Sequence, residues 1–305
     1  MPVKISRRTF IKSSIAAAGA VAILPSFDSW AADKGRALAA DFLGPWGVTY
    51  IPDGRLAVSD PGAYAIRIFD PEGKAQLSFG APGSGEDQLN YPTGIHADGE
   101  KIYVCDTNNG RVSVFDYAGK WLGSMGGLGI ATAKLASPNG IWADEQWIWV
   151  ANTRGHVLQR YSPGSGKIDR AFGAFGDDKQ ALAPGTVDYK LRLPSAVAGD
   201  AEGRIYLIDS KHRRVLALDR EGQMIWESQV LAEGRELSRP QGLAWFQNAL
   251  FISDTGNNRL VKIDATGKPI AVLNGIEDPH GISVFENRMA VAQRKPKMVQ
   301  IIEIF

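Results

Sequence analysis

From residue 44 onward, apolar residues fall in short runs of about five, alternating with polar positions or closing on a turn. None of these runs keeps the 3.6-residue period of an amphipathic helix, and runs of this length and period predict strands. Six segments begin a unit in the same way, with a Pro, a variable residue, usually a Gly, and then an apolar strand. They are Gly44-Pro45-Trp46-Gly47-Val48, Tyr91-Pro92-Thr93-Gly94-Ile95, Ser137-Pro138-Asn139-Gly140-Ile141, Leu193-Pro194-Ser195-Ala196-Val197, Arg239-Pro240-Gln241-Gly242-Leu243 and Asp278-Pro279-His280-Gly281-Ile282. Their prolines lie 47, 46, 56, 46 and 39 residues apart. A second run in each unit ends on an acidic or polar residue: Asp60, Asp106, Asn152, Asp209, Asp254 and Gln293. A third run follows, and in all but the last unit it closes on Asp-x-x-Gly or a similar turn, as in Asp116-Tyr117-Ala118-Gly119; a weaker fourth run comes next.

Four short strands per unit and six units predict an all-β, six-bladed β-propeller with four antiparallel strands per blade. One such sheet cannot bury both faces alone, so neighbouring blades must supply each other's core. The sixth unit reaches Phe305 with only three runs, and Arg36 to Leu43 is the one unassigned strand-like stretch. That stretch, about residues 36–43, is expected to supply the missing strand and close the ring. The domain reading is a leader over 1–31 and a propeller over 32–305.

Composition changes the picture at the N-terminus. The whole chain of 305 residues has a formal charge of +1, but residues 1–31 hold four bases and one acid. The rest carries 30 bases against 32 acids, too balanced for a dedicated nucleic-acid binder. Ser6-Arg7-Arg8-Thr9-Phe10-Ile11-Lys12 resembles the bacterial twin-arginine translocation (Tat) motif. The apolar stretch Ile15 to Leu24 follows, too short to span a bilayer, and Ser29-Trp30-Ala31 offers small residues at the −3 and −1 positions of a cleavage site. The expectation is a protein exported folded to the periplasm or beyond, not membrane-spanning after cleavage. Its single cysteine, Cys105, lies in a β-branched strand pattern and reads as a buried core thiol.

Gly80 to Ile95, with Asp106-Thr107-Asn108-Asn109-Gly110-Arg111-Val112 after the next strand, resembles an NHL repeat, and Asp254-Thr255-Gly256-Asn257-Asn258-Arg259-Leu260 repeats the turn. The resemblance implies the propeller fold. For function it implies a binding platform, a scaffold or an occasional enzyme.

In an antiparallel blade, the turn into strand one and the turn between strands two and three share a face. That face brings together the residues after each Pro: Trp46, Thr93, Asn139, Ser195, Gln241 and His280. A ring of polar groups and one indole around the channel mouth is the candidate ligand site. The neighbouring turns are basic, with Lys211, Arg213, Arg294, Lys295 and Lys297 as candidate surface charges for another exported protein or a small anionic ligand. Arg111, Arg214 and Arg259 are expected to pair with Asp106, Asp209 and Asp254. The ten extra residues before Pro194, around Phe175 to Arg192, leave two roles open: a lid or partner contact beside the channel, or a neutral decoration.

Two enzyme families built on six-bladed propellers provide an alternative. In gluconolactonase-like hydrolases a channel Ca or similar ion is held by a Glu, Asn and Asp set; here Asn139 matches one position, while the others fall on Leu43 and on Ser195 or Gln241. The amidating lyases place three His after such prolines for Zn, and only His280 fits. The favoured reading is a binding or scaffold module with no assigned cofactor; the alternative is a metal-assisted hydrolase or lyase using Asn139, Gln241 and His280.

Overall fold

The computed structural model describes residues 35–129, 134–177 and 183–304. The leader, its cleavage site and part of the 175–192 insertion, including Asp178, lie outside the described residues. Six four-stranded antiparallel sheets form the ring. Blade one runs through Val48–Tyr50, Leu56–Asp60, Ala65–Phe69 and Ala75–Phe79, and blades two to five repeat that order, their innermost strands being Pro92–Asp98, Pro138–Ala143, Pro194–Gly199 and Gly242–Phe246.

Blade six takes three strands from the C-terminus, Pro279–Phe285, Arg288–Gln293 and Met298–Glu303. Its fourth comes from the N-terminus, where Arg36–Ala37 pairs antiparallel with the last strand, Arg36 opposite Ile301. This closing strand is shorter than the 36–43 expected. One more bond, from Leu38 N–H to the Val299 carbonyl at 2.8 Å, extends the pairing. The chain must then cross from the outer edge of blade six to the innermost strand of blade one, so residues 39–43 leave the ladder. Leu38 and Phe42 are buried on the way, against Tyr50, Phe69, Ala290 and Val299.

The core lies between blades. Tyr206, Ile208, Val215 and Ala217 of blade four, for example, pack on Leu243, Leu250 and Ile252 of blade five. Cys105 is fully buried in the equivalent layer between blades two and three, where desolvation raises its thiol pKa well above the ordinary range. A further repeated position appears three residues before each proline: Phe42, Leu89, Leu135, Leu191, Leu237 and Ile276 are all buried.

Between that apolar anchor and the proline the backbone turns sharply. Tyr91, Ser137, Leu193, Arg239 and Asp278, each just before a proline, have φ between 44° and 60°, a left-handed conformation that L-residues avoid. It is held from the second strand: Asp60, Asp106, Asn152, Asp209 and Asp254 each accept the N–H of the residue two before the proline, at 2.7–3.0 Å. Thr107, Thr153 and Thr255 then donate to the carbonyls of Pro138, Pro194 and Pro279 in the next blade. Units one to five therefore fasten their own turns in this way, and units two, three and five also fasten their neighbours.

The described part of the insertion packs on blades three and four. Ala174–Phe175 and Lys190–Leu191 form a short parallel pair, with Tyr189 and Leu191 buried between blades three and four. Further along, Gly185 N–H donates to the Met224 carbonyl, and Met224 N–H to Thr186. Residues 183–186 thus lie along the outer edge of blade four, where they cover an exposed strand.

Candidate functional site

Asp-to-Arg pairs organise the loop face. Arg111 Nε lies 2.8 Å from Asp106, Arg214 Nε 3.0 Å from Asp209 and Arg259 Nε 2.6 Å from Asp254. Most of the remaining guanidinium N–H groups donate to carbonyls of the incoming loop, as Arg111 does to Ser84, Gly85 and Gln88, while Arg214 Nη1 donates to the Glu227 carboxylate at 2.8 Å. These arginines hold turns, as their spacing suggested. His212 is similarly structural, its Nδ1 2.6 Å from Asp209. His156 accepts from Leu193 N–H, and its pKa is lowered chiefly by desolvation and then by Arg192.

The Pro-x-Gly glycines set the width of the channel on this face. A Cβ on Gly94 would overlap the Asn139 carbonyl oxygen, and one on Gly242 the His280 carbonyl. Gly281 donates its N–H to the Trp46 carbonyl at 2.7 Å, and a Cβ there would sit 2.6 Å from the same oxygen. Glycine at these positions lets adjacent innermost strands close together, so the expected mouth is a narrow neck.

The six post-proline residues separate into two groups at that neck. Thr93 and Ser195 are buried and committed to inter-blade bonding: the Thr93 hydroxyl, 2.6 Å from that of Thr107 in its own blade, lies 3.3 Å from the Pro138 carbonyl of the next, and Ser195 donates to the Pro240 carbonyl at 2.8 Å. They leave the candidate ligand set. Asn139 Nδ2 reaches across the neck to Gln241 Oε1 at 3.3 Å, leaving Asn139 Oδ1 with no protein partner. The His280 ring lies 4.3 Å from the Trp46 ring and its Nε2 is 3.7 Å from Asp278 Oδ2, while its Nδ1 has no protein partner. Burial, followed by Arg294 and Arg239, brings the His280 pKa down to about 4 against the pull of Asp278, so the imidazole is neutral near pH 7.

Pattern reasoning missed the residues just before the prolines. Asp278 and Arg239 shape the charge around His280, and the Tyr91 ring stands edge-on to Trp46 at 5.9 Å. Their signal was the position itself, one before Pro.

Of the candidate basic residues, Lys211, Lys295 and Lys297 are exposed. Arg213 is not free: its Nη1 lies 2.9 Å from Glu236 at the surface. Arg294 lies over the Trp46 ring at 5.2 Å and so joins the neck.

Beyond the neck the channel widens toward the opposite face into a cavity of about 1010 Å³. All six innermost strands line it, from Val48 and Ile95 round to Leu243 and Ile282, with Tyr50, Trp142, Trp245 and Phe285 nearer its opening.

Comparison with known proteins places these features. The family model of the NHL repeat matches residues 89–115, and that of the Tat signal sequence matches residues 4–25. No curated protein matches the chain by sequence. Among solved structures, a catalytically inactive variant of virginiamycin B lyase from Staphylococcus aureus, with quinupristin, is 14% identical, covers 89% of this chain and 99% of its own, and has a TM-score of 0.61. A gluconolactonase from Xanthomonas campestris is 13% identical, with coverage of 88% and 89% and a TM-score of 0.62. A chain of the nidogen/laminin complex is 17% identical, with coverage of 78% and 84% and a TM-score of 0.61. At these identities the likeness is one of fold. The chain is a six-bladed propeller with an NHL repeat and a Tat signal for export to the periplasm or outside the cell. Among the described residues no helix is long and apolar enough to cross a membrane.

Proposed function

We propose that this exported propeller is a binding module whose recognition site is the neck formed by Trp46, Asn139, Gln241 and His280. The observation that carries the reading is a pair of buried polar atoms, Asn139 Oδ1 and His280 Nδ1, with no protein partners. Such atoms cost free energy unless a ligand or water completes them. Beside them stand the Trp46 and Tyr91 rings, and the exposed Lys211, Lys295 and Lys297 lie on the surrounding turns. A partner suited to this surface places hydrogen-bond donors over the neck and carboxylates on the lysine-bearing rim. An acidic exported protein, or a small ligand with an anionic group, has that chemistry. The nidogen/laminin propeller gives a precedent for protein binding on this fold.

The hydrolase or lyase reading would use the same mouth with a Ca or Zn ion. Among the described residues no three His, Cys, Asp or Glu side chains gather where one ion could be shared. Asn139, Gln241 and His280 bring two amides and one imidazole. Zinc takes three or four protein ligands, and calcium six to eight oxygens, so this donor set fits neither.

The test is capture from a periplasmic extract on the immobilised mature protein, beside an Asn139→Ala/His280→Ala variant, with bound proteins and metabolites identified by mass spectrometry. Species held by the native protein should be lost from the variant and weaken with salt. Identical profiles from both would overturn the reading.

A further inference from the structure

The wide end of the channel is a second site, on the face opposite the neck. We propose that this cavity binds an uncharged, ring-bearing and largely apolar organic molecule. At about 1010 Å³ it stands at the upper end of the range for small-molecule sites. Its inner wall carries one aliphatic side chain from each blade: Val48, Ile95, Ile141, Val197, Leu243 and Ile282. Nearer the opening the wall becomes aromatic, with Tyr50 and Phe285 in ring contact at 5.6 Å and Trp245 stacked on Tyr206 at 4.9 Å. Trp142 fits only because position 199 is glycine: a Cβ on Gly199 would sit 2.5 Å from the indole.

Three polar side chains of this wall bond to the neighbouring blades, and the buried Tyr50 hydroxyl, which has no protein partner, offers a ligand one neutral hydrogen-bonding group. His96 Nε2 lies 2.9 Å from the Ala143 carbonyl, Thr49 Oγ1 accepts from Ala97 N–H, and Ser283 Oγ accepts from Tyr50 N–H. Charge is confined to the rim and mostly engaged. Asp53 is held by Arg55 at 2.8 Å, and Arg288 donates to the Pro71 carbonyl while lying over the Tyr50 and Phe285 rings. Exposed Glu286 completes that rim. A charged group drawn inside would lose hydration without a counter-charge. A flat apolar ring system would cover the aliphatic wall and stack on the indoles, gaining about 25 cal/mol for each Å² it removes from water.

The neutral probe N-phenyl-1-naphthylamine tests this on the mature protein, with hydroxyl-radical footprinting as the readout. One equivalent should bind saturably. At ten times the half-saturating concentration, oxidation of Trp142 and Trp245 should fall by about tenfold, while Trp46 stays unchanged. A Val284→Trp variant, which places an indole in the opening, should lose the probe; His280→Ala should keep it. The proposal is overturned if binding is not saturable, if protection falls on Trp46 instead, or if folded Val284→Trp binds as before. Should that variant fail to fold, the footprint on the native protein decides.

Discussion

The imidazole of His280 lies against the indole of Trp46, ring centroids 4.3 Å apart and planes tilted by 56°, across the seam where the last blade meets the first. The same seam carries the Gly281 N–H to Trp46 carbonyl bond at 2.7 Å. At its outer edge the ladder between Arg36–Ala37 and Met298–Glu303 joins the chain ends. Ring closure is therefore fastened both at the neck and at the rim. His280, whose pKa burial brings down to about 4, belongs to that fastening.

Stability should fall in acid because of His280. Its folded pKa of about 4 is below the ordinary 6.5, so the unfolded chain binds the extra proton first as pH drops. The stabilising contribution is complete above about pH 6.5 and declines as pH falls toward 4, by about 3 kcal/mol in all. His280→Phe keeps a ring against Trp46 and cannot titrate. Denaturant unfolding across this range should show a shallower pH dependence for the variant. Equal slopes would remove His280 as the cause.

A chain starting at Gly44 would lack the closing strand. It exposes the edge of Met298–Glu303 and uncovers the apolar layer sealed by Leu38 and Phe42. The expected result is a lower melting temperature together with dimers or aggregates on size exclusion, since an unpaired edge invites another chain. An unchanged monomer with native stability would show that the strand is dispensable.

The fold was legible in the sequence because its determinants recur locally. The Pro-led openings, the polar residues closing strand two and the Asp-to-Arg spacings can be read within one unit; the six sheets form, and the three expected Asp-to-Arg pairs are made. The site was less legible because it depends on what the next blade presents. Thr93 and Ser195 look as available as Asn139 until Pro138 and Pro240 are seen beside them. Likewise Val48, Ile95 and Ile141 read as ordinary strand residues, and nothing local reveals that the strands diverge below the neck to leave a cavity. The insertion was ambiguous for the same reason, its edge-covering bonds reaching a strand more than thirty residues away.

Glycine at the neck separates close approach from mere turn flexibility. Gly242→Ala would drive a methyl group into the His280 carbonyl, a backbone atom that cannot swing aside. Gly99, with φ of 60°, has open space on that side, with nothing within 4 Å of where a Cβ would stand. Gly99→Ala should cost about 1 kcal/mol, the strain of a left-handed alanine, and Gly242→Ala about 3 kcal/mol or more. Urea denaturation of the two variants checks the ranking, and comparable losses would mean that neck width is not what fixes glycine there.

Burial decides the worth of the ion pairs. Arg259 and Asp254 are both fully buried, and Arg259 also donates to the Ala232 and Arg235 carbonyls. Replacing Arg259 with Met removes the counter-charge and leaves Asp254 desolvated, a loss of about 3–5 kcal/mol. Adding Asp254→Asn removes the stranded charge and should recover part of that loss, while its amide oxygen can still accept from Ser238 N–H as Asp254 does now. Arg213 and Glu236 make a similar 2.9 Å contact, but both are more than half exposed. Arg213→Ala should therefore change stability by less than about 0.5 kcal/mol. Unfolding free energies for the three variants provide the check: a small effect at Arg259, or none of the expected recovery in the double variant, would place the stabilisation in the loop carbonyls rather than in the charge pair.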